Sequence, residues 1–383
     1  MAHNNTVLSQ ILKLVCRHEF EGLAKTHHSG QKLRKMTRWS QFVAMTTAQL
    51  SGQTSLRDIE SNLSAQQSKL YHLGVDRVTR SSLSRVNEQQ PYGLYESLFG
   101  RLLGRCESMA PRHGFRFKNK LYSLDASTID LCLSIFPWAE FRTTKGAIKL
   151  HAAVDHDGYL PSFIHVTEGN VHEVKIAPKL SLEKNSIVVF DRGYNDYEWF
   201  NSLNNNGIWF VTRLKKNAKY RVIERREVRS KTGVTSDHCI ELTGTKAHKC
   251  AVKLRRIGYR DSQTGQRYEF LTNNFKLCAK TIADIYKSRW QIELFFKWIK
   301  QNLKIKTFLG TSKNAVMTQI WIALCVYLLL CYLKFTSCKT RTIQQILKLL
   351  QLNLFDRREL IPLIRGYKIK PPGESHNNQF SWV

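Results

Sequence analysis

The hydrophobic periodicity of this chain changes from helical to strand-like near residue 120, and this change constrains the fold more than any other feature. Before it, apolar residues such as Trp39, Phe42 and Val43 recur at helical spacing. After it, short apolar runs alternate with helical stretches in the order three strands, helix, strand, helix, strand. The pattern therefore predicts a mixed α/β sheet that follows an α-helical N-terminal region.

The domain boundaries are placed where this pattern changes, because no fixed repeat or long Pro- or Ser-rich linker divides the 383 residues. A chain of this length usually forms two or three domains. The prediction is a helical N-terminal domain at 1–115, an α/β domain at 116–335 with a basic, mostly β insertion at about 213–275, and a C-terminal helical segment with a polar tail at 336–383.

The N-terminal domain has a pattern that is compatible with DNA binding. One helix is predicted to end at Gly52, and the next begins at Ser55, with Asp58 in its first turn. A third helix is predicted from about Ser81 to Gln89 and carries Arg85. Two short helices across a Gly-containing turn can form a helix-turn-helix. An ordinary helical bundle gives the same pattern, so both interpretations remain open.

The charge of the chain favours an anionic partner. It has 59 Lys and Arg against 30 Asp and Glu, a formal net charge of +29, which is typical of proteins that bind nucleic acid or an acidic membrane surface. Residues 213–256 alone hold 14 Lys and Arg and four acids. A solvated loop would also be charged, but this density favours a surface that faces phosphates.

A membrane location is not expected. Residues 1–30 have neither the apolar run nor the cleavage pattern of a signal peptide. The fourteen uncharged residues at 320–333 are fewer than the roughly 20 that a spanning helix needs. We interpret them as a buried core helix and expect a cytoplasmic protein.

The nine Cys residues include no Cys-x-x-Cys pair, so neither a disulfide framework nor an ordinary zinc ribbon is predicted. One cluster could hold zinc; it consists of His238, Cys239, His248 and Cys250. Reduced structural cysteines and surface histidines are the alternative and the favoured interpretation.

Two carboxylates follow apolar strands in a chain that is poor in acids. Asp125 is predicted to end the strand that begins at Leu121, and Asp191 follows the strand 186–190. Ligands gather outside the strand ends of α/β sheets, so the two acids could meet at one site. Each acid could instead cap a helix or a turn.

A third carboxylate lies on a predicted amphipathic helix at 286–300. At about 100° per residue, one narrow stripe of this helix holds Tyr286, Arg289, Glu293, Lys297 and Lys300. The opposite side is apolar and faces the core. A solvated face with i,i+4 ion pairs would look similar. Together, however, Asp125, Asp191 and Glu293 are what a two-metal site requires, because hard oxygen ligands hold Mg²⁺.

The spacing Tyr286-x2-Arg289-x3-Glu293-x6-Lys300 resembles the Tyr-Arg-Glu-Lys signature of a large group of bacterial insertion-sequence transposases. Leu124-Asp125-Ala-Ser-Thr128 resembles the strand with the first Asp of this group, and Val189–Tyr194 resembles the strand with the second. The intervals between the acids, 66 and 102 residues, also match the group. The resemblance covers about residues 120–335, and residues 37–63 resemble the N-terminal segment of the same proteins.

The resemblance implies a ribonuclease-H-like catalytic domain with an Asp-Asp-Glu triad at Asp125, Asp191 and Glu293. It also implies two Mg²⁺ ions, for which Mn²⁺ can substitute, and double-stranded DNA as the partner, both as element ends and as target. Such a transposase binds its inverted repeats, cuts the DNA ends and joins the 3′-OH ends to target DNA, as a dimer in a synaptic complex. Residues that would contact DNA phosphates are Tyr286, Arg289, Lys297, Lys300 and Arg192.

Two other functions remain compatible with the sequence. One is a metal-dependent nuclease of the same fold without strand transfer, and the other is a non-catalytic DNA-binding regulator derived from a transposase. Relatives that cut through a hairpin hold a flipped base on a Trp of the insertion. Residues 213–285 have no Trp, so Tyr220, Tyr259 or Tyr268 would have to stack instead.

Overall fold

The structure is a computed structural model, and it describes most of the chain. The described residues are 5–30, 33–142, 145–229, 232–245, 247–303, 305, 307–337 and 340–366. The side chains of residues 140–142 are not part of this description. Lys339 and the polar tail beyond residue 366 lie outside it.

Seven helices form the part of the described chain before residue 110, as the periodicity predicts. They are α1 (Val7–Leu12), α2 (Arg17–Thr26), α3 (Arg38–Ser51), α4 (Leu56–Ala65), α5 (Gln67–Leu70), α6 (Arg80–Gln89) and α7 (Gly93–Glu107). The predicted boundary between α3 and α4 is confirmed. Gly52 ends α3 in the left-handed region at φ +72°, and the Ser55 hydroxyl caps α4 by accepting the Asp58 N–H at 3.1 Å.

The ten described strands form one mixed sheet. They are β1 (Leu121–Leu131), β2 (Glu140–Arg142), β3 (Lys145–Asp155), β4 (Leu160–Glu168), β5 (Ile187–Phe190), β6 (Trp209–Arg213), β7 (Tyr220–Arg225), β8 (Val234–Leu242), β9 (Leu254–Arg260) and β10 (Arg267–Thr272). The first half has the order β4-β3-β1-β5-β6, with β1 antiparallel to β3 and parallel to β5. This order and these directions are those of the ribonuclease-H-like fold, so the predicted fold class is confirmed.

The insertion is mostly β, as predicted, and it extends the same sheet. Strand β10 pairs antiparallel with β6, and β9, β8 and β7 follow outward in that order. A buried ion pair holds this part together, because Arg255 donates to both carboxylate oxygens of Asp237 at 2.6 and 2.8 Å. The backbone hydrogen bonds between β10 and β6 fix the insertion to the central strands.

Helices cover both faces of the central sheet. They are α8 (Tyr197–Asn205), α9 (Ala279–Ser288), α10 (Trp290–Asn302), α11 (Lys313–Ser337), α12 (Ile343–Asn353) and α13 (Leu360–Arg365). In β5, Val188 and Phe190 pack in one cluster with α8, whereas Ile187 and Val189 pack in another with α9. This alternation explains why β5 is apolar at every position: both of its faces are buried.

Helix α11 contains the uncharged run at 320–333 and is the longest described helix. It is long and apolar enough to cross a membrane, but 94% of its most apolar 18-residue window is buried inside the protein. Its neighbours include α3, α6, α7 and α12. The interpretation as a core helix is confirmed, and α11 connects the N-terminal helices to the rest of the chain.

Two local predictions were wrong. Strand β1 does not end at Asp125 but continues to Leu131, because its antiparallel pairing with β3 extends over the whole strand. The helix predicted after the first three strands is instead a pair of short 3-10 turns, Glu173–Lys175 and Ala177–Lys179. Pro178 contributes to this outcome because it has no N–H for a continuing helix.

The turn between β3 and β4, at Asp157-Gly158, offers a test of stability. Gly158 has φ +69°, and a Cβ there would lie 2.7 Å from the Phe335 ring. We expect Gly158→Ala to lower the free energy of unfolding by about 2 kcal/mol or more, from backbone strain plus the clash. Chemical denaturation measures the loss.

Gly265→Ala is the matched control, because Gly265 has the same φ of +69° but nothing within 4 Å of the added Cβ. It should show the strain alone, about 1 kcal/mol. Equal losses in the two variants would show that Phe335 does not restrict this turn.

Candidate active site

Asp125 and Asp191 lie side by side at the point where two parallel strands separate. The parallel pairing of β1 with β5 ends at Leu124 and Phe190. Asp125 directly follows Leu124 in the chain, and Asp191 directly follows Phe190. Strand β5 ends there, whereas β1 continues along β3. The predicted meeting of the two acids thus follows from the parallel register, although only Asp191 stands at a strand end.

The helical segment with the third acid is divided at Arg289. A single helix over 286–300 was predicted, but α9 ends at Ser288 and α10 begins at Trp290. The Arg289 N–H donates to the Tyr286 carbonyl at 3.2 Å, and the Ile292 N–H donates to the Arg289 carbonyl at 3.1 Å. These i to i−3 bonds tighten the backbone at this point.

Arg289 joins two of the three acids. Its Nη1 lies 2.9 Å from Asp125 Oδ2, and its Nη2 lies 2.6 Å from Glu293 Oε1. The Tyr286 hydroxyl donates to Asp191 Oδ1 at 3.1 Å. The Arg289 side chain is only 14% exposed, so the ion pairs are poorly screened by solvent. One cation and one hydroxyl therefore connect the α9–α10 segment to both strands.

The electrostatics of the site oppose ionisation of Asp125. Burial raises the pKa of this carboxyl to about 6, the Ala126 N–H and Arg289 act against that increase, and the charges of Glu293 and Asp191 add to it. Burial also raises the pKa of Tyr286 to about 12, with a contribution from Asp191. Tyr286 is therefore protonated near neutral pH and donates its hydrogen bond.

The remaining predicted phosphate contacts lie around this centre. The Lys300 ammonium donates to the carbonyl of Thr128 on β1 at 2.6 Å. Lys297 is exposed on α10, and Arg192 is partly exposed in the 3-10 turn directly after Asp191. The structure thus brings Tyr286 and Arg289 into contact with the acids, places Lys300 against β1 and leaves Lys297 facing solvent.

The donor set suits a hard divalent cation, but the side chains are not arranged around one. The three acids offer only oxygen ligands, which Mg²⁺ and Mn²⁺ prefer, and Asp125 senses the charges of the other two. No three His, Cys, Asp or Glu side chains of the described residues are placed to hold a metal ion. At Asp125 and Glu293 the reason is visible, because the Arg289 guanidinium bridges these two carboxylates. Metal binding would require Arg289 to leave that position.

The alternative zinc cluster is not supported within the same described part of the chain. Cys239 and Cys250 are both buried, and His248 pairs with the Thr245 carbonyl at 3.0 Å. No group of three possible ligands forms there among the described residues.

The sequence did not identify every residue near the acids. The buried hydroxyl of Tyr194 has no hydrogen-bond partner among the described residues, and burial together with Asp125 and Glu173 raises its pKa. Glu173 itself pairs with Lys149 at 3.0 Å. A signal was present for Tyr194, which closes the Asp191-Arg192-Gly193-Tyr194 motif. No sequence signal was present for Glu173, which lies near the acids in the fold but in none of their motifs.

An aromatic cavity of about 390 Å³ opens next to Arg289. Its lining includes Tyr259, Tyr268, Phe270, Tyr286 and Trp290. Two of the three tyrosines proposed for stacking therefore share a cavity with Arg289, whereas Tyr220 packs under the Arg256 guanidinium at 5.3 Å. Trp290 is 57% exposed. Trp290 lies at the start of α10, outside the insertion.

Comparison with known families gives two matches along the chain. Residues 116–329 match the model of the transposase DDE domain, which covers both strands and the helical segment with the three acids. Residues 3–76 match a domain of unknown function.

Individual relatives are similar over most of their length. A Sinorhizobium fredii protein, named "putative transposase", is 31% identical over 293 residues, which are 76% of this chain and 81% of the relative. A protein of Geobacillus stearothermophilus, named the probable transposase of an insertion sequence element, is 30% identical over 262 residues, 68% of each chain.

A solved structure, the piggyBac transposase synaptic complex with hairpin DNA, aligns with a TM-score of 0.47 at 7% identity. The alignment covers 90% of this chain and 77% of that one. A likeness at this level carries no information about function.

Proposed function

Because the chain belongs to the DDE-domain transposases of insertion sequences, we propose that it moves its own element by cut-and-paste transposition. It binds the terminal inverted repeats, cleaves the DNA ends by metal-dependent hydrolysis and joins the 3′-OH ends to target DNA. It acts in the cytoplasm on nucleoid DNA, as a dimer in a synaptic complex.

One observation supports the catalytic part of this proposal above all others. The parallel register of β1 and β5 ends so that Asp125 and Asp191 are neighbours, and Arg289 holds Glu293 against Asp125. The three acids are 66 and 102 residues apart in sequence. Separate surface roles would not require Asp125 and Glu293 to share one guanidinium. Nor would they require Asp191 to accept a hydrogen bond from the same α9–α10 segment.

Asp125, Asp191 and Glu293 are proposed to hold two divalent ions, Mg²⁺ with Mn²⁺ as a substitute. When bound, these ions lower the pKa of the attacking water or 3′-OH and stabilise the charge on the phosphate. The protein carries these carboxylates at two neighbouring strands of the sheet and on helix α10. Tyr286 orients Asp191 through its hydrogen bond.

The cations around the acids are proposed to hold the DNA backbone near the cut. Arg289 suits a phosphate because its fork can donate two hydrogen bonds. Lys297 and Lys300 follow on α10, one and two turns beyond Glu293, and Arg192 adjoins Asp191. When Arg289 turns from the carboxylates to a phosphate, it also leaves the acids free for metal.

The activity can be tested with a duplex that carries one terminal inverted repeat and a supercoiled plasmid as target. Transposition predicts both 3′-end cleavage and joined products in Mg²⁺. Cleavage without joined products would indicate a nuclease of the same fold, and DNA binding without cleavage would indicate a regulator. The inverted repeats themselves are found by sequencing the DNA on both sides of the gene.

Lys297→Ala tests the phosphate contacts separately. Each phosphate contact that is lost lowers the slope of log K against log salt by about one unit. We therefore expect weaker binding of the end duplex at low salt and a shallower slope, measured by fluorescence anisotropy. Lys348→Ala on the exposed side of α12 is the control and should leave the slope unchanged. The same slope in Lys297→Ala and wild type would exclude Lys297 as a phosphate contact.

A further inference from the structure

We propose that α6 is the recognition helix that reads the base pairs of the element ends in the major groove. This inference rests on the proposed function, since it assigns the surface by which the transposase tells its own ends from other DNA. The supporting observations are the anchoring of α6, the chemistry of its outer face and the cations beside it.

The inner face of α6 is fixed to the protein. Leu83, Val86 and Asn87 are buried. The side chain of Gln41 on α3 donates to Asn87 Oδ1 at 2.7 Å, and Asn314 on α11 donates to the Asn87 carbonyl at 2.9 Å. Polar contacts from two other helices thus set the rotation of α6 about its axis, so its outer face is presented in one orientation.

The outer face of α6 carries side chains that can read base edges. At about 100° per residue, one half of the helix surface holds Arg80, Ser81, Ser84, Arg85, Glu88 and Gln89, all exposed. In the major groove, Arg pairs with guanine, Gln with adenine, Glu with cytosine, and Ser with several bases. No large apolar side chain interrupts this face, so it does not suit a membrane or a protein core.

The surroundings of α6 suit the DNA backbone. A cavity of about 540 Å³ lies between α6 and the segment 33–36. Arg34 and Lys35 line it on one side, and Arg85 and Gln89 line it on the other. Arg34 and Lys35 are exposed. A helix in the groove, which is about 12 Å wide, would place these cations beside the flanking phosphates.

The other N-terminal helices considered for DNA binding are less suited to this role. Helix α3 is buried from Arg38 to Leu50 and forms the centre of the bundle. Helix α4 carries Asp58 in its first turn and Glu60 just beyond it, against the single cation Arg57. Its net negative charge disfavours contact with the DNA backbone. The segment 33–36 belongs to the domain of unknown function at 3–76, so the inference also gives that domain a part in end recognition.

The test compares the full-length wild-type chain with Arg80→Ala and Arg85→Ala. One probe is a duplex that carries the terminal inverted repeat, and the other is a scrambled duplex of the same composition. We expect each variant to lose roughly tenfold to a hundredfold in affinity for the end duplex, and much less for the scrambled one. Dimethyl sulfate probing should show lost protection of a guanine N7, which lies in the major groove.

Controls make the result specific to α6. Arg101→Ala removes an exposed Arg from α7 and should change neither affinity nor protection. Gln89→Ala gives a second test on α6 without a change of charge. Thermal melting by circular dichroism confirms that each variant is folded, which is expected because the changed residues are exposed.

Two outcomes would overturn the inference. If both Arg variants keep the full preference for the end duplex and the same N7 protection, α6 does not read the ends. If they weaken both duplexes equally and keep the protection, they contact phosphates only. In either case, wild-type cleavage of the ends would leave the proposed function intact. A wild-type chain that neither prefers nor cuts its ends would instead refute the proposed function.

Discussion

Replacing Glu293 by Gln should reduce metal-dependent cleavage of an end duplex by at least about a thousandfold, because loss of a metal-holding carboxylate removes several kcal/mol of transition-state stabilisation. Binding of the same duplex should remain within about twofold of wild type, since the cations on α9 and α10 are unchanged. Gel electrophoresis of labelled DNA measures cleavage, and fluorescence anisotropy in EDTA measures binding.

A matched control is available on α2. Arg17 and Glu21 form the same kind of i,i+4 ion pair as Arg289 and Glu293, at 2.8 Å, but on the protein surface. Glu21→Gln should therefore leave cleavage unchanged, which would exclude a general effect of losing such a pair. If Glu293→Gln cleaved at the wild-type rate, Glu293 would have no place in the mechanism and the triad would be wrong.

Asp125→Asn should reduce cleavage by a factor similar to that of Glu293→Gln. It should also stabilise the metal-free protein. The pKa of Asp125 in the folded state is raised to about 6, chiefly by burial. A carboxyl whose pKa is raised on folding stabilises the fold while it is protonated, and this stabilisation is lost as the pH rises through 6. Above that pH, the ionised carboxylate costs about 1–3 kcal/mol, and Asn removes this cost.

Thermal unfolding in EDTA at about pH 5 and about pH 8 tests the sign. Asp125→Asn should exceed wild type in stability at the higher pH, and the difference should shrink at the lower pH. Asp284→Asn is the control, because Asp284 is half-exposed and paired only with Lys280 on α9 among the contacts described, so its change should be below about 1 kcal/mol. A variant that is less stable than wild type at the higher pH would show that Arg289 outweighs burial at this position.

Much of the fold could be predicted from the sequence because its signals are local. The continuous apolar run before Asp191 predicts a strand that is buried on both faces, and every residue from Ile187 to Phe190 packs on one face or the other. The start of α4 follows from the capping chemistry of Ser55. In these cases, the residues that decide the structure are close together along the chain.

The parts that were missed depend on contacts that are distant in sequence. Strand β1 continues past Asp125 because β3 pairs with it to the end. The division of the helical segment at Arg289 coincides with ion pairs to Asp125 and Glu293. A helical projection correctly places Arg289 and Glu293 on one face, but it cannot show that the guanidinium reaches a carboxylate on a strand. The extension of the sheet by the insertion likewise depends on β10 pairing with β6.

The long buried helix α11 has a consequence for the DNA as well as for the protein. It packs against α6 at one side of the molecule and against α10, which carries Glu293, at another. If α6 reads the ends, a single rigid rod then fixes the separation between the bases that are read and the bond that is cut. The number of base pairs between the recognised bases and the cleavage site would then be fixed in the element. Each base pair inserted between the two positions advances the duplex by about 3.4 Å and rotates it. Mutations in the ends would accordingly be tolerated as substitutions more readily than as insertions or deletions.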